Sequence, residues 1–216
     1  MKIESMALGP VATNTYLVTS PDGKTCVVID APKGAAAALL PIIQQRGLKL
    51  THLLITHGHW DHTCDAYHFA QAGASVIAHR DDEVLIEQIE KFRARYQSFL
   101  PMLTDDDFRA VKVTQWVDTG DSVDAAGYHF EVRHVPGHCP GSILLYVAEA
   151  KIAFTGDAIF EGSVGRTDLP NGNWPQLLKS IREQIYTLPD DTVLLPGHGG
   201  STSVGQEKQT NPYARP

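Results

Sequence analysis

Between positions 53 and 62 the chain reads Leu53-Leu54-Ile55-Thr56-His57-Gly58-His59-Trp60-Asp61-His62. Three histidines and an aspartate fall within six positions, directly after a short apolar run that reads as a buried strand. His57 and His59 are two apart, so an extended loop can point both imidazoles the same way. Asp61 and His62 are adjacent, and at a loop-to-helix junction they diverge towards a different point. That arrangement suits two metal ions better than one. Imidazole with carboxylate is a borderline donor set, typical of zinc and open to iron or manganese. Three shorter segments continue the pattern: Pro136-Gly137-His138, Thr155-Gly156-Asp157 and Pro196-Gly197-His198. Each lies at or just past an apolar stretch, where a strand end presents a side chain at a sheet edge.

HxHxDH followed in order by His, Asp and His resembles the metallo-β-lactamase superfamily, and the pattern spans Thr56 to His198, most of the chain. Gly165-Arg166-Thr167-Asp168-Leu169-Pro170 narrows the resemblance to the compact glyoxalase II-like hydrolases. The resemblance implies an α/β fold, an αββα sandwich of two mixed β-sheets with helices on the outer faces and metals at one open edge. It implies two divalent ions, zinc first and iron or manganese as alternatives. His57, His59 and His138 would hold one ion and Asp61, His62 and His198 the other. Asp157 would bridge both, which places Asp61 and Asp157 at the catalytic centre. Two ions 3.5–4 Å apart can share a water that ionises near neutral pH, giving a hydroxide able to attack a carbonyl. The implied activity is hydrolysis of a thioester, a 2-hydroxyacyl-glutathione such as lactoylglutathione, by that metal-bridging hydroxide.

Similar loops occur in the mononuclear-iron sulfur (persulfide) dioxygenases of the same superfamily, so the ligand set by itself does not separate the two activities. A lactonase, a nuclease and a non-catalytic binding module stand further off, the last because no ligand position is lost. The thiolate-ligated β-lactam hydrolases place cysteine in a metal position, whereas here His138 and His62 fill the corresponding roles. Cys64 and Cys139 therefore read as small packing residues. His52, His68, His79, His129 and His134 have no matching partner motif and are assigned to structure or surface. Arg166 and Asp168 sit in a glycine- and proline-rich loop. They read equally as a substrate-facing wall that meets an acidic substrate and as a loop-stabilising ion pair.

The chain has 216 residues, a hydrophobic fraction of 43% and a formal net charge of −7. These values suit one domain, residues 1–216, with a substantial core, and speak against a nucleic-acid surface. The partner expected is a small-molecule thioester, with neither nucleic acid nor membrane; composition leaves the oligomeric state open. Three cysteines without framework spacing fit a reducing compartment. With neither an apolar leader nor a run approaching the ~18 residues of a membrane span, a soluble cytoplasmic protein is the expectation.

The elements that must carry these residues can be read from pattern. Residues 1–30 read as strands, with a hairpin formed by 14–19 and Thr25–Ile29 around the turn Pro21-Asp22-Gly23-Lys24. Asp30 ends the second strand, and the resemblance favours a role in orienting a histidine ligand over a plain turn position. A helix is expected over 34–46, interrupted at Pro41, and another over 61–72, closed by Gly73. A strand over 75–78 follows. The charged stretch 81–99 reads as one long surface helix whose Glu83, Glu87, Glu90, Lys91, Arg93 and Arg95 form a solvated face. Strands are expected over 111–117, 128–135, 142–147, 152–154 and 192–195, with an amphipathic helix over 174–188. Residues 205–210 allow one or two helical turns. Full-length glyoxalase II enzymes carry a helical region after the last histidine, and eighteen residues after His198 are too few for one. Weak dependence on the thiol part of the substrate is the corresponding expectation.

Overall fold

A computed structural model describes all 216 residues. Its first half builds a six-stranded sheet from β1 (Lys2–Leu8), β2 (Thr13–Thr19), β3 (Thr25–Ile29), β4 (Lys49–Leu54), β5 (Ser75–His79) and β6 (Gln115–Val117). The β1–β2–β3 meander is antiparallel, and β3 to β6 run parallel. The second half builds another six-stranded sheet in the order β14-β13-β10-β9-β8-β7. Its strands are β7 (Ser122–Ala125), β8 (Tyr128–His134), β9 (Ile143–Val147), β10 (Ile152–Gly156), β13 (Val193–Pro196) and β14 (Thr202–Ser203), with only β10 and β13 paired parallel. A small hairpin, β11 (Ile159–Phe160) with β12 (Ser163–Val164), stands apart.

Alternating side chains divide each strand between two layers. Val18, Val27, Ile29, Leu54 and Ile77 of the first sheet meet Phe130, Val132, Leu145 and Phe154 of the second in one apolar cluster. The opposite face of the first sheet packs under α1 (Ala35–Gln45) and α3 (Ala66–Gln71). That of the second packs under α6 (Trp174–Ser180) and the C-terminal segment with α7 (Val204–Thr210). The architecture is the expected αββα sandwich of two mixed sheets. No helix is long and apolar enough to cross a membrane.

Several expected helices are shorter or differently broken than their patterns suggest, and tertiary hydrogen bonds are the reason. The 61–72 helix is two pieces, α2 (Trp60–Thr63) and α3, because the Asp65 amide turns away to the Ala31 carbonyl and its carboxylate accepts from the Ala36 amide. The 81–99 helix is broken into short pieces of one or two turns that include α4 (Glu83–Glu87) and α5 (Arg93–Phe99). Nor is that segment wholly a solvated face. Asp82, Ile86 and Ile89 are buried, and Glu87 accepts a hydrogen bond from the Val113 amide. The same bond shortens the 111–117 strand to β6. The 174–188 helix loosens after Ser180 into a wider turn, with the Tyr186 amide bonded to the Ile181 carbonyl, while Arg133 captures the Gln184 carbonyl. Pro41, by contrast, does not interrupt α1. It sits on the exposed face, as does Ala37, whose carbonyl lost its partner and can be hydrated.

Candidate metal centre

Strands β3, β4, β8, β10 and β13 all end at one edge of the sandwich, and each hands a chemistry-bearing residue to the loop that follows. Asp30 follows β3; His57 and His59 follow β4; His138, Asp157 and His198 follow β8, β10 and β13. Asp61 and His62 lie in the first turn of α2, whose rotation is set by Trp60, buried with Cys64, Ile89, Leu103 and Phe108. The two sheets are stitched together at this edge. The Asn14 amide donates to the Gly197 carbonyl at 2.7 Å, Tyr16 donates its hydroxyl to the Pro196 carbonyl at 2.6 Å, and the Ile143 amide donates to the Thr56 carbonyl at 2.8 Å.

The structure brings all seven sequence-derived candidates together. His57 Nε2, His59 Nδ1 and His138 Nε2 form a triangle with edges of 3.1, 2.9 and 3.2 Å. Zn–N distances of ~2.0–2.1 Å imply a tetrahedral N···N edge of about 3.3 Å, so this triangle is close to the size an ion needs. His198 Nε2 and His62 Nε2 lie 3.2 and 3.5 Å from Asp61 Oδ2. Asp157 stands between the sets, with Oδ1 at 3.3 Å from His62 Nε2 and Oδ2 at 3.5 Å from both His138 Nε2 and His198 Nε2. His62 Nε2 and Asp157 Oδ1 are buried and have no hydrogen-bond partner. Groups of this kind are costly unless satisfied, and a cation satisfies both. The donor set therefore fits divalent metal ions.

For four of the five rings, the nitrogen turned inward is decided by the bond that the other nitrogen makes. His62 Nδ1 donates to Asp30 at 2.8 Å, so Nε2 is the nitrogen turned to the centre. His57 Nδ1 donates to Thr56 Oγ1 at 3.2 Å, and that hydroxyl donates onward to Asp30 at 2.8 Å. His138 Nδ1 donates to the Arg166 carbonyl at 2.8 Å, and His198 Nδ1 to the Val11 carbonyl at 3.2 Å. Asp30 is thus the orienting carboxylate expected from its place at the strand end, in a left-handed conformation at φ 58°. Thr13, which donates to Asp61 at 2.8 Å, Thr56 and Asp82 carried no motif and escape a reading of the sequence. Gly197 packs so closely that a Cβ there would strike the Asp157 carboxylate and the His62 ring.

The electrostatics differ between the sets. Burial and neighbouring imidazoles hold His57 well below the usual histidine range and His59 down to about 3. Burial also opposes charge on His62 and His198, but carboxylates outweigh it. Asp30, Asp61 and Asp157 hold His62 well above its ordinary value, and Asp157 with Asp61 raises His198 to about 10. Asp157, whose burial is outweighed by the His62 and His198 partners, stays ionised.

The remaining candidates are placed as follows. Arg166 and Asp168 form a bidentate ion pair, with both contacts at 2.7 Å, exposed beside the centre. Cys64 is buried, and burial pushes its thiol well above the usual range. Cys139 is buried and donates its thiol to Asp82. His79 and His134 gather with Asp118 in a separate group. Their rings stack at 4.0 Å and 11°, so their in-plane lone pairs do not converge. The Asp81 amide occupies His79 Nδ1, which leaves the ring proton on the nitrogen facing Asp118.

Comparison with known proteins agrees with this geometry. Residues 8–198 match the model of the Metallo-beta-lactamase superfamily. The chain is 35% identical to hydroxyacylglutathione hydrolase GloC of Haemophilus influenzae, over 99% of this chain and 98% of that one. Among solved structures it is similar to the BLEG-1 B3 metallo-beta-lactamase, with TM-score 0.82 and 31% identity over 99% of both chains. It is also similar to TTHA1623 in a di-iron-bound form, with TM-score 0.83 and 32% identity over 97% of this chain and 99% of that one. With histidine and aspartate groups suited to metal at the shared edge of two mixed sheets, the chain belongs to the metallo-beta-lactamase superfamily.

Proposed function

We propose that this protein is a two-metal hydrolase of acyl thioesters, with a 2-hydroxyacyl-glutathione as the substrate class. The observation that carries the two-ion reading is the position of Asp157, a buried carboxylate that faces His138 with one oxygen and both His62 and His198 across its pair. The substrate class rests on the similarity to GloC over nearly the whole length of both chains. His57, His59 and His138 would hold one ion, Asp61, His62 and His198 the other, and Asp157 both. Zinc is the first choice for this donor set, with iron and manganese compatible. Bound divalent ions supply Lewis acidity to a carbonyl oxygen and acidify water towards neutral pH.

The chain's own residues account for the rest. Asp30, Thr56 and the Arg166 carbonyl hold one ring proton of His62, His57 and His138 on the outward nitrogen, so the inward nitrogen is the one a metal ion would take. Thr13 donates to one oxygen of Asp61 and fixes that carboxylate. Arg166 stands exposed at the rim, where its guanidinium can exchange Asp168 for a carboxylate of an acidic thiol such as glutathione. A thiol leaving group has a pKa near 8.5 and departs as thiolate without a dedicated acid. A thioester thus fits a centre whose buried imidazoles and carboxylates would serve as metal ligands or orient them, with none needed as a general acid.

The test pairs metal analysis with kcat/KM on a panel. Two equivalents of metal and a preference for lactoylglutathione over a β-lactam of at least about a hundredfold are expected. A plateau at one iron with oxygen consumption on a persulfide, or a preference for the β-lactam, would overturn the reading.

A further inference from the structure

Asp82 is 1% exposed and has no cationic partner, yet both carboxylate oxygens are used. The Gly58 amide donates to Oδ2 at 2.7 Å, the Gly141 amide donates to Oδ1 at 2.8 Å, and the Cys139 thiol lies 3.1 and 3.2 Å from the two oxygens. Gly58 separates His57 from His59, and Cys139 and Gly141 follow His138. The carboxylate, carried by the turn after β5, therefore ties together the two loops that present the three converging imidazoles. Both loops press against it. A Cβ on Gly58 would lie 2.8 Å from Leu85 Cβ and 2.9 Å from Asp82 Cβ, and one on Gly141 would meet the Asp82 side chain and its amide nitrogen. No comparable contact reaches the other set. His62 is held by Asp30, Asp61 by Thr13, and His198 by the Val11 carbonyl.

We infer that Asp82 is a positioning residue for one half of the centre, setting the affinity of the His57/His59/His138 group for its ion while leaving the Asp61/His62/His198 group alone. An anionic acceptor suits this role because one rigid carboxylate can take amide hydrogens from two separate loops at once. Asparagine in its place would turn an amide N–H₂ against a backbone donor and release one loop. The inference rests on the two-ion reading above, and its test is arranged so that the two can fail separately.

The experiment measures stepwise affinity for Zn²⁺ in competition with a chromophoric chelator. His198→Ala leaves the first group intact and His59→Ala leaves the second, so each ion can be followed alone. Asp82→Asn in the His198→Ala background is expected to weaken Zn²⁺ by about 10–100-fold, the usual effect of removing an outer partner of a ligand. In the His59→Ala background the same change is expected to stay within about threefold. Equal losses in both backgrounds, or no loss in either, would overturn the inference, because a general loss of structure does not select one ion. If Asp82→Asn does not fold, Cys139→Ala removes the thiol donor alone. It should show the same selectivity at about three- to tenfold, and an equal effect on both ions would be decisive against it. A single equivalent in the unaltered protein would instead refute the two-ion reading, and Asp82→Asn would then still be judged on that one ion.

Discussion

Filling the two halves of the centre with metal should release different numbers of protons, and the difference can be worked out from the neighbours of each histidine. His62 lies 2.8 Å from Asp30, 3.3 Å from Asp157 and 3.5 Å from Asp61. These carboxylates outweigh its burial and keep it charged at neutral pH. His198 is charged for the same reason, raised to about 10 by Asp157 and Asp61 against the effect of burial. A metal ion needs both rings neutral. Occupying the Asp61/His62/His198 group at pH 7.5 should therefore expel about two protons. His57 and His59 are lowered by burial and by neighbouring imidazoles, so they are already neutral and contribute none. The sign follows from the raised values. The protons stay on until pH climbs through them, so affinity for this ion rises with pH, and acidification strips it first. Each proton displaced corresponds to about tenfold in apparent affinity per pH unit while pH stays below the raised value of the ring that holds it. Titration calorimetry of the metal-free protein with Zn²⁺ in two buffers of different ionisation enthalpy counts these protons directly. Equal proton numbers for the two ions, or fewer than about one for the weaker-at-low-pH ion, would refute this account of the site's charge.

Asp157→Ala should lower metal content and activity together by at least about a hundredfold in kcat/KM, since it removes a shared ligand; elemental analysis alongside kinetics checks the coupling. Gly197→Ala places a methyl group against the Asp157 carboxylate and the His62 ring, so metal content should drop below one equivalent even if the thermal transition shows a folded protein. Arg166→Ala removes an exposed pair and should leave Tm unchanged while kcat/KM on a glutathione thioester falls by about tenfold through KM; an unchanged KM would leave the pair a loop feature only. Cys64→Ala should retain more than about a tenth of the activity, a margin of 1.4 kcal/mol, because burial keeps the thiol protonated; a thousandfold loss would point to thiol chemistry.

The division between what the chain announces and what the fold decides follows the range of the interactions. Ligand residues sit in short glycine-flanked segments after apolar runs, so their types, order and strand-end placement are local properties that spacing alone reveals. Asp30 was legible as a carboxylate ending a strand, but only the resemblance favoured an orienting role for it over a turn position. The layered arrangement was legible from the irregular alternation of strands and helices together with the resemblance carried by the histidine motifs. The lengths of helices were not. Asp65 breaks one by bonding to Ala31 and Ala36, and Glu87 draws another off its axis towards Val113, partners that lie tens of residues away. Asp82 shows the limit most clearly. Within its own segment it is one acid among the charges of an apparent surface helix, and nothing nearby distinguishes it. Only the tertiary structure, by bringing Gly58 and Gly141 to either side of its carboxylate, turns it into the tie between two ligand loops, because hydrogen-bond partners of a buried charge are chosen by packing rather than by sequence neighbours.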